Sequence, residues 1–227
     1  MRPLRFTIAQ EVTDLGVKGL MARMINVTIV KNNPEFDIYL EKELNTIKQK
    51  WLGKEYKTDP VLQGFRVLHE KIKRSNRKYP ASPEELLRIF IETGRFPRIN
   101  LLVDIYNLVA LKTRLALGAH DIDHIIGNIS LRLTTGTENF LPLGSKELVI
   151  VPSGEYAYID DGNNIICRME VLQVEPTKIT TETTDVFLIV QGNSNTTHSY
   201  IESGTKEVLE LMSRYCGGTS ISLNTLT

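Results

Sequence analysis

Three polar residues interrupt the most apolar stretch of the chain. Asn100, Asp104 and Asn107 stand four and then three residues apart among Leu101, Leu102, Val103, Ile105, Leu108, Val109, Ala110, Leu111, Leu115 and Leu117. On a helix over 99–117 that spacing places them on one face, and a helix apolar nearly all round is buried. A buried polar group without a partner costs about 1–3 kcal/mol. The stripe must therefore face a polar network that fixes a loop, or a ligand pocket. A second concentration runs from Glu175 through Thr177, Thr180, Thr181, Glu182, Thr183 and Thr184 to Asp185. Hydroxyls and carboxylates at that density suit a polar ligand with an ammonium group, or else an exposed threonine-rich loop or strand. A third is basic: Lys71, Lys73, Arg74, Arg77 and Lys78, followed by Tyr79. On a helix these cations would cover most of one side, as a solvated face or as a surface that tracks phosphates. Tyr79 could stack on a base.

Other chemistries fit less well. His120 and His124 could share a metal on a helix, with Asp121 and Asp123 between them, but no third ligand lies at a telling distance and no metal is expected. No glycine-rich loop follows a strand in either nucleotide-binding pattern, so no cofactor is expected. No serine sits in a nucleophile elbow and neither Cys167 nor Cys216 has an evident base partner. That argues against a covalent hydrolase and leaves open one that activates water.

The elements that must position these groups follow from periodicity and punctuation. Strands are expected at 3–9 and 23–30. Asn33-Pro34 starts a helix that runs to about Gly53, with Phe36, Leu40, Leu44, Ile47 and Trp51 on one face. A second amphipathic helix is expected over 60–75. A third starts at Ser82-Pro83-Glu84-Glu85 and ends at Gly94. After the buried helix over 99–117, strands are expected at 128–134, 147–151, 154–160, 164–172 and 186–191, with a hairpin turn at Asp161-Gly162-Asn163. A last helix spans about Thr197 to Tyr215, closed by Gly217-Gly218, and residues 219–227 form a tail or one more strand. The fold class is α+β, with a mostly helical basic part over 1–97 packed on an α+β part over 98–227, as two units or as one continuous globule.

The chain has 227 residues, 41% hydrophobic and 24% charged, which excludes a disordered or fibrous protein and allows a core that needs no disulfide. Its zero net charge conceals an imbalance: residues 1–100 hold 19 Lys+Arg against 12 Asp+Glu, and residues 101–227 hold 8 against 15. A basic half can attract a polyanion. The opening segment puts charges where a signal peptide needs an apolar core, and no apolar run is long enough to cross a bilayer. A cytoplasmic protein with reduced thiols is expected, with no membrane partner.

Taken in order, Asn100, Val103, Asp104, Tyr106, Asn107, Leu111, Gly118, Asp121, Asp123, Gly127, Leu131, Arg132, Gly136, Glu138, Pro142, Gly144, Pro152, Gly154, Glu155, Asp160, Cys167, Arg168 and Glu175 through Thr183 resemble the B3/B4 domain. This is the editing domain of the bacterial phenylalanyl-tRNA synthetase beta subunit. The resemblance covers roughly residues 95–195, and the residues before it resemble, less closely, the extension of freestanding members. It implies a mixed or antiparallel sheet core with flanking helices. It also implies hydrolysis of the ester of a mischarged tRNA, acting in trans, with the aminoacylated 3′ end of tRNA as partner. The family's pocket asparagine matches Asn107 and its substrate-contacting glutamate matches Glu175. The family's histidine falls at Gly118 and is missing, which suggests a substrate other than a tyrosine-like amino acid. On this reading Glu175 binds the ammonium or orients water, and Asn107 hydrogen-bonds the carbonyl or ribose. Asn100, Asp104, Tyr106, Gly118, His120, Glu155, Arg168 and Thr177 form the pocket, and Lys71, Lys73, Arg74, Arg77 and Lys78 hold the tRNA backbone. The alternative is a non-catalytic module that binds tRNA or senses an amino acid with the same pocket.

Overall fold

The computed structural model describes residues 3–226, and side chains to residue 221. Two sheets stack face to face, and helices cover the outer face of the second. The first sheet holds β1 (Phe6–Ile8), β4 (Ile129–Leu133), β5 (Tyr156–Asp160), β6 (Ile165–Arg168) and β7 (Leu172–Gln173), side by side in that order. β1 runs parallel to β4, and the remaining pairs are antiparallel. The second sheet is antiparallel throughout, in the order β3 (Ala116–Asp121), β8 (Asp185–Gly192), β2 (Lys18–Ile25) and β9 (Thr219–Leu226).

Strand alternation builds the layers. In β2 and β8, Ala22, Met24, Val186, Leu188 and Val190 join one buried cluster, while Met21, Phe187 and Ile189 join another. The first cluster packs against α2 (Pro34–Trp51), α4 (Ser82–Thr93), α5 (Leu101–Thr113) and α6 (His198–Cys216). The second packs sheet on sheet and includes α3 (Pro60–Lys71), with Phe6 bridging Tyr158 and Phe187 at ring-centroid distances of 6.0 and 6.1 Å.

Side chains that satisfy first-turn amides set where the helices begin. Asn33 accepts from the Phe36 N–H at 3.1 Å, Asp59 from Val61 at 3.0 Å, Asn100 from Val103 at 3.1 Å, and Thr197 from Tyr200 at 3.2 Å. At α4 the cap position falls on Ala81 rather than Ser82, and no side chain closes it.

Several expected elements shift. The helix over 60–75 stops at Lys71, and 73–78 is turn. The helix over 99–117 ends at Thr113 because Arg114 adopts a left-handed conformation (φ 59°), and the apolar residues beyond it become β3. The strand over 23–30 lies earlier, as β2. A short helix, α1 (Gln10–Leu15), follows β1. Residues 147–151 form no strand, and 164–172 is split by Met169, whose φ is 52°. The turn Asp161-Gly162-Asn163 joins β5 to β6 as expected. Residues 219–226 are the edge strand β9.

Candidate functional site

Helix α5 lies beside the end of the sheet stack, and a cavity of about 340 Å³ opens between them. Val103, Tyr106, Asn107 and Ala110 of α5 form one wall, Ala116 to Gly118 of β3 a second, and Cys167 with Leu172 and Gln173 a third. The wall is mostly apolar. Leu143, Leu172 and Ile99 are exposed at the rim. Tyr158, Ile189 and Gln191, all buried, lie deeper.

The deep end is a closed polar network. Tyr158 donates its hydroxyl to Gln191 Oε1 at 2.8 Å, and Gln191 Nε2 donates to Glu170 Oε2 at 3.1 Å. Glu170 also accepts from the Tyr156 hydroxyl and pairs with His69 Nε2 at 2.5 Å. Burial disfavours the charged His69 ring, yet the Glu170 carboxylate outweighs this and raises its pKa. Burial holds the Tyr106, Tyr156 and Tyr158 hydroxyls protonated and pushes the Cys167 thiol up to about 12. A thiol so placed is no nucleophile at neutral pH.

The polar stripe divides. Asn107 lines the cavity and is the one residue of 101–110 that is not buried. Asn100 caps α5 and donates to the Ile179 carbonyl at 3.2 Å. Asp104 accepts from the Ile99 N–H at 2.8 Å and from Arg98 Nε at 2.6 Å, and Arg98 reaches on to Asp37. Burial raises the Asp104 pKa against the pull of those donors. Of the residues expected to share a pocket, Tyr106, Asn107 and Gly118 line this cavity.

The others lie elsewhere. Glu175 does not line the cavity. Its carboxylate takes Lys178 and the Gly144 N–H (2.9 Å), which hold its pKa below the usual carboxylate range. Together with its own N–H on the Leu141 carbonyl (3.0 Å), it fastens the rim loop that carries Leu143. Two threonines of the cluster turn inward on β3, while Thr181, Glu182 and Thr184 are exposed: Thr177 Oγ1 meets His120 Nδ1 at 2.9 Å, and Thr183 donates to Asp121 at 2.7 Å. His120 is fully buried. Burial drives its pKa to about 3, and its Nε2 has no hydrogen-bond partner among the described residues. His124 is exposed beside Asp121. Glu155 and Arg168 are buried on the far side of β5 and β6. Arg168 Nε and Nη2 donate to Glu155 at 2.6 and 2.8 Å, Arg74 joins from the basic run, and the Tyr79 ring lies 4.8 Å from the Arg168 guanidinium.

The basic run is not one helix face. Lys71 ends α3 with its Nζ on the Leu15 carbonyl at 2.7 Å, and Arg74 is committed to Glu155. Lys73, Arg77 and Lys78 are exposed on the following turns. The residues that sequence reasoning missed are Glu170, Gln173, Gln191 and Tyr158. The signal available for Tyr158 and Gln191 is period-two alternation within β5 and β8; Glu170, in a turn, has none.

Comparison with known proteins places this geometry. Residues 66–217 match the B3/4 domain family. A phenylalanine–tRNA ligase beta subunit of Mycoplasma genitalium is 34% identical over 99 residues, 43% of this chain and 12% of that protein. The one from Wolbachia sp. subsp. Brugia malayi is 31% identical over 114 residues, 50% of this chain and 14% of that protein. The chain thus spans about one eighth of the length of these curated relatives. An N-terminal fragment of the phenylalanyl-tRNA synthetase beta subunit from Pyrococcus horikoshii has the same mixed α+β fold. It aligns over 97% of this chain and 51% of that one, with a TM-score of 0.52 and 15% identity. With the family match running from the middle of α3 through α6, over strands of both sheets, the buried capped helix and the cavity beside it, the chain belongs to the B3/4 domain family.

Proposed function

We propose that the protein hydrolyses the ester of a mischarged aminoacyl-tRNA in trans, with the amino acid held in the cavity under α5. The observation that carries this reading is the cavity itself. Its volume of about 340 Å³ lies at the small end of the range for ligand sites, about 300–1,000 Å³. Its walls are mostly apolar, with Asn107 and Gln173 among the few polar groups of the walls and Gln191, Tyr158 and Glu170 deep inside. The relatives' names, phenylalanine–tRNA ligase beta subunit, support a tRNA ester as the substrate class.

An aminoacyl ester is already activated, so placing one water and stabilising the developing oxyanion suffices. The water oxygen bonds to the ester carbonyl carbon, and the bond from that carbon to the ribose oxygen breaks. The ribose oxygen leaves with the proton the water gives up, releasing free amino acid and tRNA. Asn107 hydrogen-bonds the bound aminoacyl group. Glu175 acts through the rim loop rather than on the reacting atoms. Lys73, Arg77 and Lys78 receive tRNA phosphates, which makes binding fall as salt rises.

The test is deacylation of a panel of mischarged tRNAs by the wild type and by Asn107→Ala. Turnover of at least one ester, lowered by Asn107→Ala with the fold intact, supports the reading. Turnover of none by the wild type overturns it. One observation favours a second reading, a module that binds an aminoacyl group without hydrolysing it: Glu170, the one carboxylate lining the cavity, is committed to His69, Tyr156 and Gln191. Saturable tRNA binding without turnover would establish that alternative.

A further inference from the structure

Position 118 is bare where the cavity is narrowest in choice of side chain. Gly118 lies in β3 outside the left-handed region, so its backbone does not call for glycine. What the glycine provides is room. A Cβ there would stand 2.8 Å from Gln173 Nε2 and 4.0 Å from its Cδ. The Gln173 amide therefore lies directly over the backbone of residue 118, in space that any side chain would take.

Gln173 is well held for this. It pairs with Cys167 across β6 and β7, and its carbonyl accepts the Leu143 N–H at 3.0 Å. Its side-chain amide engages the buried Tyr106 hydroxyl. An amide carries two N–H donors, so one contact leaves capacity toward the cavity. Gln191 differs in place: it is bonded at both ends, its oxygen to Tyr158 and its nitrogen to Glu170, and it sits at the deep end, away from the rim. Gln173 stands beside the exposed rim residues Leu143 and Leu172, at the level where the ester of an amino acid inserted side chain first would lie.

We infer that Gln173 is a catalytic hydrogen-bond donor of this cavity, giving an N–H to the ester carbonyl oxygen as negative charge develops on it, and that Gly118 is the positioning residue that lets the amide lie there. This rests on the deacylase reading and assigns its oxyanion donor. Removing one such donor lowers kcat by about 10²–10³-fold.

The experiment measures kcat and KM on the best substrate of the tRNA panel for wild type, Gln173→Ala, Gln173→Glu, Gly118→Ala and the Gly118→Ala/Gln173→Ala double variant. Gln173→Ala should lose about 100-fold in kcat with little change in KM. Gly118→Ala meets only the far end of a flexible side chain, so it should fold normally and still lose rate, and the double variant should be no slower than Gln173→Ala. Gln173→Glu should be slow at neutral pH and recover in acid, where its carboxyl regains a donor proton, a profile that a purely structural role would not produce. An active wild type beside a Gln173→Ala of near-wild-type kcat, additive single effects, or a Gln173→Glu without acid recovery overturns the assignment to Gln173 alone. A wild type inert on every ester overturns the deacylase reading and Gln173's place in it.

Discussion

Cys167 and Arg168 are neighbours on β6, yet one faces the cavity and the other a buried ionic cluster. In that cluster both Glu155 oxygens are taken by Arg168, and Arg74 adds a further bond. Burial pushes the Glu155 carboxyl up, but the two guanidiniums outweigh it and hold its pKa below the ordinary value. Both oxygens of the Glu155 carboxylate are thereby engaged and offer a ligand nothing. In the cavity the one carboxylate, Glu170, is committed to its own network, and among the amides Gln173 retains a donor near the rim. Density of charge is thus a poor guide to a ligand site. Hydrogen-bonding capacity left unused beside an apolar wall is a better one.

The largest effect that could break this contrast is structural. Arg168→Ala leaves the buried Glu155 carboxylate with Arg74 alone and should cost up to about 3–5 kcal/mol in denaturant unfolding. An Arg168→Ala protein of wild-type stability but altered substrate preference would put Arg168 in the ligand site. Acid provides the next largest. His120 lies two residues beyond Gly118 in β3, its pKa held near 3 by burial. The unfolded chain takes up a proton near pH 6.5 that the folded chain refuses, so stability falls as pH drops below 6.5, by about 3 kcal/mol at pH 4. His120→Asn should flatten that slope in urea titrations at successive pH values. An unchanged slope would mean that the ring protonates in the folded protein. The smallest effect belongs to Glu175. Glu175→Ala should leave the unfolding midpoint where it is and lower kcat by less than about tenfold, through the loosened rim loop. A loss of several hundredfold in kcat with KM unchanged would bring Glu175 to the reacting atoms.

The helices were legible because their apolar faces and the Asn33-Pro34 start of α2 are local; Asn100, which reads as part of the polar stripe, is instead the cap of α5. The α+β class followed from the same signals. β3 was hidden because α5 ends on an arginine in a left-handed conformation, where glycine would have announced the stop, and apolar Leu115 to Leu117 continued the helical pattern. The segment 147–151 reads as a strand but, among the described residues, makes a single backbone bond to Phe140 rather than a ladder, and Leu148 and Ile150 remain exposed. At the candidate site, Asn107 and Gly118 could be read from the chain. Gln173, Gln191 and Glu170 could not, because what marks them is the company they keep after folding: a glycine under one amide, and a tyrosine and a carboxylate around the other.

β2 has both its neighbours far downstream: β8, at 185–192, and β9, at 219–226. During synthesis its residues leave the ribosome with neither edge occupied, an open template for stray pairing. At about 5–20 residues per second, at least some eight seconds separate the making of β2 from that of β8. Over that interval the nascent chain carries an unpaired strand, and the sheet is complete only once residues 219–226 have also emerged.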